Sequence, residues 1–165
     1  MPSGHPVGFS FFCDMATDRD TLKFQKGSGG EVKDLYEDFG FKTTSVPLFF
    51  PLEVKDPPSR DWQDEDGEDV YFPENAKLKA YETDVSVLYT GAMGTSEAKM
   101  KSLFSYLITG GSEISIYSPY SNTGCKGAYL KGFSDIELES SEQNGDILSL
   151  TINLKVSKPG ESYSV

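Results

Sequence analysis

The sequence predicts a mainly β fold of the α+β class, in which one amphipathic helix at about Ser96–Ile108 flanks two packed antiparallel sheets. Residues 81–89 and 147–156 each alternate apolar and polar side chains, which is the period of a half-buried strand. Residues 96–108 instead repeat apolar side chains every three or four positions, as a helix does. The length of 165 residues suits a single domain with its own core.

The first 30 residues predict an N-terminal arm or a hairpin, and the sequence leaves both open. Phe9, Phe11 and Phe12 favour a strand, and the glycine-rich residues 26–30 indicate a loop. The β domain itself is expected over residues 31–158. Its first part, 31–58, indicates a short turn followed by extended segments, because four prolines exclude a long helix or a central strand: Pro47, Pro51, Pro57 and Pro58.

An acidic turn comes next. Residues 61–69 carry six carboxylates, and the dipeptide Asp66-Gly67 is typical of a hairpin turn. Val70, Tyr71 and Phe72 then indicate a strand. The sequence therefore predicts an acidic hairpin centred on Gly67.

A long strand, expected at Leu78–Tyr89, and the helix follow. The strand is expected to bury one face and to end at Gly91 and Gly94; that face carries Tyr81, Thr83, Val85, Val87 and Tyr89. Either Thr95 or Ser96 suits the helix N-cap. The apolar stripe of the helix is expected to pack against a sheet, and it consists of Met100, Leu103, Phe104, Leu107 and Ile108. Gly110 and Gly111 predict the end of the helix.

The last third predicts three strands, at residues 113–117, 128–139 and 147–156, with a hairpin turn at Asn144-Gly145. One face of the last strand is apolar: Leu148, Leu150, Ile152, Leu154 and Val156. Pro159 and Gly160 predict its end, so residues 159–165 are expected to form a loose tail.

Composition excludes several classes of protein. Fifteen Lys and Arg against 26 Asp and Glu give a net charge of −11, which argues against a general nucleic-acid binder. No apolar run approaches the roughly 20 residues of a membrane span, and the start lacks a secretory signal pattern. Cys13 and Cys125 are too few for a disulfide framework. We expect a soluble protein made in a reducing compartment.

No catalytic constellation stands out. The single histidine, His5, lies in a start rich in Pro and Gly, so a site that needs a histidine base is not predicted. Cys125 precedes Lys126, which would lower the pKa of a thiol, but without a positioned base we expect an ordinary free thiol. The sequence therefore predicts no enzyme and no cofactor.

Metal sites are not predicted either. Zinc would need a Cys/His cluster, which two distant cysteines and one histidine do not form. If Gly67 is aligned with the glycine of an EF-hand, Trp62 and Pro73 occupy the first and twelfth positions, where Asp and Glu are required. A solvated acidic turn is expected, with a calcium site of another type as the alternative.

Aromatic residues suggest a second function. Four of them could form a strip that binds a sugar or a protein: Trp62, Tyr117, Tyr120 and Tyr129. The corresponding hypothesis is a monomeric β-sandwich binding module, and the opposing interpretation is that many of these side chains belong to the core or to strand edges.

The order of motifs is specific. Asp-Leu-Tyr-x-x-Phe-Gly-Phe at 34–41 leads into a proline-rich connector and then into Arg60-x-Trp62-x-x-Glu65-Asp66-Gly67-x-Asp69-Val70. A long strand, a glycine break, one helix and a terminal hairpin follow. Over residues 34–158 this order resembles the tail-tube-like domain of bacteriophage distal tail proteins and related tail-ring proteins. The first 30 residues depart from the opening of that family. The sequence shows no C-terminal carbohydrate-binding domain of the kind that longer members carry, so we expect a compact form or a tube or tail-completion relative.

The resemblance implies a tail-tube-like sandwich or barrel in a non-catalytic virion protein. Such proteins commonly assemble as a homo-hexameric ring around a DNA channel and contact other phage tail proteins. The expected location is the virion tail, assembled in the host bacterial cytoplasm and without a membrane. An acidic lumen would let DNA pass without specific binding.

The resemblance also implies a subunit-contact loop, because the acidic hairpin would reach a neighbouring subunit or ring. The residues expected to make this contact are Arg60, Trp62, Asp64, Asp66, Gly67 and Asp69.

Overall fold

The computed structural model describes residues 21–45, 47–111 and 113–165, so the predictions for His5, Phe9, Phe11, Phe12 and Cys13 lie outside the described residues. The described chain forms nine strands and one helix: β1 (Lys23–Lys26), β2 (Val32–Asp34), β3 (Phe41–Thr43), β4 (Ser59–Asp61), β5 (Glu68–Val70), β6 (Tyr81–Gly91), α1 (Ser96–Ile108), β7 (Ile114–Ser118), β8 (Thr123–Ser141) and β9 (Gly145–Ser162).

The strands form two antiparallel sheets. The larger has seven strands in the order β2-β1-β7-β8-β9-β6-β3, and the smaller pairs β4 with β5. The prediction of a mainly β fold with two antiparallel sheets and one helix is confirmed, and the larger sheet is not closed into a barrel. The smaller sheet is a hairpin whose residues are largely exposed. The buried core is therefore formed by the seven-stranded sheet, its connecting turns and the helix.

The apolar faces predicted for the two long alternating strands are buried in the core. In β6, Thr83, Val85, Val87 and Tyr89 are buried, and β9 buries every second residue from Asp146 to Val156. The two strands pair in unbroken register, with Val85 opposite Ile152. Since cross-strand partners share a face of the sheet, both strands present one continuous apolar surface to the interior.

The two edges of the large sheet meet at Leu35. A flat seven-stranded sheet would hold its edge strands about 29 Å apart, at about 4.8 Å per strand. Here β2 and β3 are consecutive in the chain, and Leu35 lies between them. The Leu35 N–H donates to the Leu22 carbonyl at 2.9 Å, and the Phe41 N–H donates to the Leu35 carbonyl at 3.1 Å. The sheet therefore curls so that one end of each edge strand meets this fully buried side chain, although β2 and β3 do not pair with each other.

The turn that makes this seam is the Asp-Leu-Tyr-x-x-Phe-Gly-Phe motif. The Asp34 Oδ1 atom accepts hydrogen bonds from the Thr21 hydroxyl at 2.6 Å and from the Tyr36 N–H at 2.9 Å. In return, Asp38 Oδ2 accepts from the Asp34 N–H at 2.7 Å. Gly40 has a φ of +79°, and a Cβ there would lie 3.2 Å from the Tyr89 ring. The motif thus has a structural role in this chain.

Helix α1 begins and ends at the predicted residues, but its cap and its buried face differ from prediction. The Thr95 side chain makes no capping bond. Leu103 and Leu107 are buried and Met100 packs against the core, whereas Phe104 and Ile108 are 40% and 56% exposed. The helix packs against β6, β8 and β9, and only part of its stripe faces inward. No helix of the described residues is long and apolar enough to span a membrane.

Asp146, at the start of β9, caps α1 from 50 residues away. Its Oδ2 atom accepts from the Ser96 hydroxyl at 2.8 Å and from the Gly94 N–H at 2.9 Å, and its Oδ1 accepts from the Ser140 hydroxyl at 2.7 Å. The hydrogen bonds from Ser140 and Ser96 lower the pKa of Asp146 to about 2. The carboxylate therefore ties the helix start to the β8–β9 hairpin.

We expect Asp146→Asn to lower the melting temperature at neutral pH, because an amide replaces one acceptor oxygen with a donor. The native pKa of Asp146, about 2, lies below its usual value of 3.8. Its contribution is therefore present above about pH 4 and is lost as pH falls through 2. The difference in melting temperature between wild type and variant should narrow over that range. Asp64→Asn, at an exposed position, is the matched control. A constant difference would contradict the assignment.

The end of β9 differs from prediction. Pro159 and Gly160 do not end the strand, which continues to Ser162. Beyond it, the Tyr163 hydroxyl donates to Gln25 Oε1 at 2.9 Å, and the Tyr163 ring lies edge-on to Tyr117 at 6.5 Å. These contacts hold residues that the sequence predicted to be loose.

Candidate subunit-contact surfaces

Residues 53–79 form an arm that leaves the large sheet and returns to it. At its base, Val54 pairs with Leu78, and the Lys79 N–H donates to the Glu53 carbonyl at 3.0 Å. Farther out, β4 pairs with β5 and with no other strand of the described chain. Residues 59–69 are all exposed. The arm is thus a two-stranded extension stabilised by its own pairing.

The tip of the arm is organised around Trp62. The Arg60 guanidinium stacks 3.6 Å from the centre of the Trp62 ring. The Trp62 indole N–H donates to Asp69 Oδ2 at 3.1 Å, and Asp69 lies opposite Arg60 in the strand pair. These three predicted residues are therefore brought together. The stacked guanidinium and the hydrogen bond hold the indole in place, although 39% of Trp62 remains exposed.

The other three predicted residues lie in the turn. Asp64, Asp66 and Gly67 are exposed, and Gly67 has a φ of +90°, which suits glycine. Within the described ranges, no group of three or more His, Cys, Asp or Glu residues could hold a metal ion. The contact of this loop with a neighbouring subunit stays a prediction.

A row of exposed apolar side chains lies beside the arm, and the sequence analysis does not predict it. Leu48, Phe50, Leu52 and Val54 are each more than half exposed. They alternate along an extended segment that belongs to neither sheet. Their period of two, between Pro47 and Pro57, was the available signal. It was missed because alternation normally indicates a strand that buries one face.

This row forms one wall of a groove of about 520 Å³. Leu48, Phe50 and Leu52 line it on one side, and the start of β6, from Tyr81 to Asp84, lines the other. The short strand β3 pairs only with residues 87–89 of β6. The groove therefore runs along a part of β6 that no strand of the described residues covers.

A second group of exposed apolar residues lies along β8, which β9 separates from β6, and on the adjacent helix. Strand β7 pairs with β8 only as far as Ala128, so the following residues of β8 have a strand neighbour on the β9 side only, within the described chain. Large side chains on this stretch and on the adjacent helix face are 40–56% exposed: Phe104, Ile108, Tyr129, Ile136 and Leu138. Phe104 packs on Phe133 of β8, with 5.4 Å between ring centres, which fixes the helix beside this strand.

The four aromatic residues of the binding-strip hypothesis lie on different elements. Trp62 is in the arm, Tyr117 is in β7, Tyr120 is in the β7–β8 turn and Tyr129 is in β8. The Tyr117 hydroxyl is bonded to Asn122 Oδ1 at 2.9 Å. The structure thus gives no single strip containing all four.

Cys125 is a buried thiol. Only 2% of the residue is exposed, and burial raises its pKa to about 11. Since the thiolate is the reactive form, the side chain is unreactive at neutral pH. This agrees with the expected ordinary free thiol.

No protein-family model and no curated protein sequence matches the chain. Among solved structures, the Dit (gp 19.1) protein of phage SPP1 is similar, with a TM-score of 0.48 and 14% identity. That protein is described as a paradigm of the hub adsorption apparatus in phages that infect Gram-positive hosts. The match covers 87% of this chain and 52% of the Dit chain, so this chain spans about half the length of that protein.

The tail of an empty GTA particle, refined with C6 symmetry, is also similar. Its TM-score is 0.40 and the identity is 5%, over 92% of this chain and 98% of that one.

Proposed function

We propose that the chain is a non-catalytic structural protein of a phage or phage-derived tail that assembles into a ring around the DNA channel. The observation that carries the proposal is the arm at residues 53–79. An exposed hairpin with an ordered, partly exposed tryptophan at its tip contributes nothing to the core of its own chain. Such an extension is suited to contact another subunit.

The sequence resemblance supports the same function. The Asp34–Phe41 motif, the Trp62 hairpin, the long strand, the helix and the terminal hairpin follow one another in the order typical of distal tail and tail-ring proteins. In such a protein, other tail proteins are the further partners, and the virion tail is the location.

The charge of the chain fits a channel for DNA. Each copy carries a net charge of −11, and a ring multiplies this charge around one axis. DNA is repelled by carboxylates, so a negatively charged lumen lets it slide without binding. The six exposed carboxylates of residues 61–69 add charge at the arm itself.

Native mass spectrometry over a concentration series, with negative-stain images of any large species, tests the proposal. We expect a closed species of six copies with a central channel. A chain that remains monomeric at every concentration, and shows no rings in the images, would contradict self-assembly. A ring of another size would retain the structural function and change only the symmetry.

A further inference from the structure

The groove beside β6 leaves part of the edge of that strand open. At one end of the opening, the Thr44 N–H donates to the Ser86 carbonyl at 2.9 Å. At the other end, the Lys79 N–H donates to the Glu53 carbonyl at 3.0 Å. Between these two bonds, residues 81–85 of β6 have no strand partner on this side within the described ranges. An open edge of this kind can accept one more extended segment.

The lining of the groove determines which segment fits. Its exposed apolar row consists of Leu48, Phe50 and Leu52. Three carboxylates also line the groove, and ion pairs with Lys79 and Lys131 neutralise the first two: Glu53, Glu82 and Asp84. The groove therefore suits an apolar, extended segment that brings no further carboxylate.

Residues 7–13 of the same chain have this composition. Four apolar residues recur there at every second position, so that they share one face of an extended segment: Val7, Phe9, Phe11 and Cys13. The sequence contains no Asp or Glu before Asp14. A strand added to a sheet edge binds through its backbone and through every second side chain, which is the pattern that residues 7–13 offer.

The fold brings the beginning of the described chain within reach of the groove. Thr21 directly precedes the residue whose carbonyl accepts from Leu35 at the seam. Strand β3 starts at the same seam and pairs with β6 at Tyr89. The near end of the groove, Asp84, lies five residues before Tyr89, or about 17 Å along β6. The twelve residues from Phe9 to Thr21 span up to about 40 Å, which is enough to reach it.

We propose that residues 7–13 bind in the groove of their own chain, as an added strand along the open edge of β6. The short connection to Thr21 gives the segment an effective concentration in the millimolar range, above that of other copies in dilute solution. Binding covers the exposed apolar row and removes an open strand edge from the isolated subunit. The inference goes beyond the proposed function and does not depend on ring assembly.

The native Cys13 provides a test by disulfide trapping in the full-length chain. Phe50→Cys places a second thiol in the groove, and Cys125 stays because it is 2% exposed. The protein is oxidised mildly in dilute solution. We expect a disulfide within one chain, identified by intact mass and by mapping of the linked peptides. Adding Cys13→Ser to the same protein should remove the product.

Met93→Cys is the matched control. Met93 is 60% exposed, which is similar to Phe50 at 61%, and it lies only four residues beyond Tyr89. Random collisions of the tethered Cys13 therefore favour Met93 at least as much as the groove. We expect the control to give about tenfold less disulfide within one chain. An equal yield would overturn the inference, and so would a product linked mainly between two chains.

A second pair of variants tests the contact of the apolar face. Phe11→Ala, in the Phe50→Cys protein, removes a ring from the face that carries Cys13, and the trapped fraction should fall by about tenfold. Ser10→Ala makes a small change on the opposite face and should leave the yield unchanged. A Phe11→Ala protein that is trapped as well as its parent would overturn the inference.

The measurements also keep this inference separate from ring assembly. Trapping within one chain at a concentration where native mass spectrometry finds only monomer supports the inference even if no ring ever forms. Rings from a Phe50→Cys protein whose trapping equals that of the Met93→Cys control would overturn the inference and leave the proposed function standing.

Discussion

Leu103→Asp leaves the chain unfolded at neutral pH. Leu103 is fully buried on α1, the helix that packs against β6, β8 and β9. The substitution removes an apolar side chain from the core, which costs about 3 kcal/mol, and buries a carboxylate without a partner, which costs about 4 kcal/mol more. A domain of this size is typically stable by only about 5–15 kcal/mol. Far-ultraviolet circular dichroism and thermal melting measure the loss.

Ile108→Asp is the matched control, because it makes a similar change on the same helix. Ile108 is 56% exposed, so its carboxylate stays hydrated and the expected change is about 0.5 kcal/mol. Both variants are melted at low concentration, where assembly does not contribute. A folded Leu103→Asp protein with an unchanged melting temperature would contradict the packing of α1 on the sheet.

The comparison of these two residues shows what periodicity can predict. Leu103 and Ile108 belong to the same apolar stripe, and the sequence predicts both to be buried. The period identifies the helix and its bounds, because a repeating apolar face is needed to pack on any surface. The period does not distinguish the stripe residues that reach the core from those that stay exposed, such as Ile108, since both are apolar.

The long strands were predicted for a related reason. β6 and β9 bury one face along their whole shared length, so their alternation is uninterrupted in the sequence. By contrast, Asp146 occupies a buried position of β9 and caps a helix 50 residues earlier. A cap of this kind depends on tertiary position, and the only local signal was a polar residue directly after the hairpin turn.

The seam at Leu35 shows the same limit. The sequence indicates a turn at 34–41, but the turn joins the two outermost strands of a curled sheet. The turn propensity of a short segment does not show which two strands of the folded sheet that turn will join. In the candidate site, the dipeptide Asp66-Gly67 predicts the hairpin. The exposed row from Leu48 to Val54 is not predicted, because its alternating pattern normally indicates a strand that buries one face.

Shortening the tip of the arm abolishes ring assembly and leaves the fold intact. Replacing residues 63–67 with Asn-Gly keeps the pairing of Asp61 with Glu68 and closes it through a three-residue loop. The change removes three exposed carboxylates, at Asp64, Glu65 and Asp66, together with the reach of the hairpin. The tip contributes no buried residue to the core, so we expect the monomer to lose only about 0.3 kcal/mol of stability. Its melting temperature should then fall by about 1 °C.

Native mass spectrometry of wild type and variant measures the assembly. The matched control removes three carboxylates away from the arm, by Glu37→Gln, Glu142→Gln and Glu161→Gln at exposed positions. The control alters charge by the same amount and should still form rings. If the control also loses its rings, overall charge rather than the tip governs assembly. If the shortened variant keeps them, the arm is not a subunit contact.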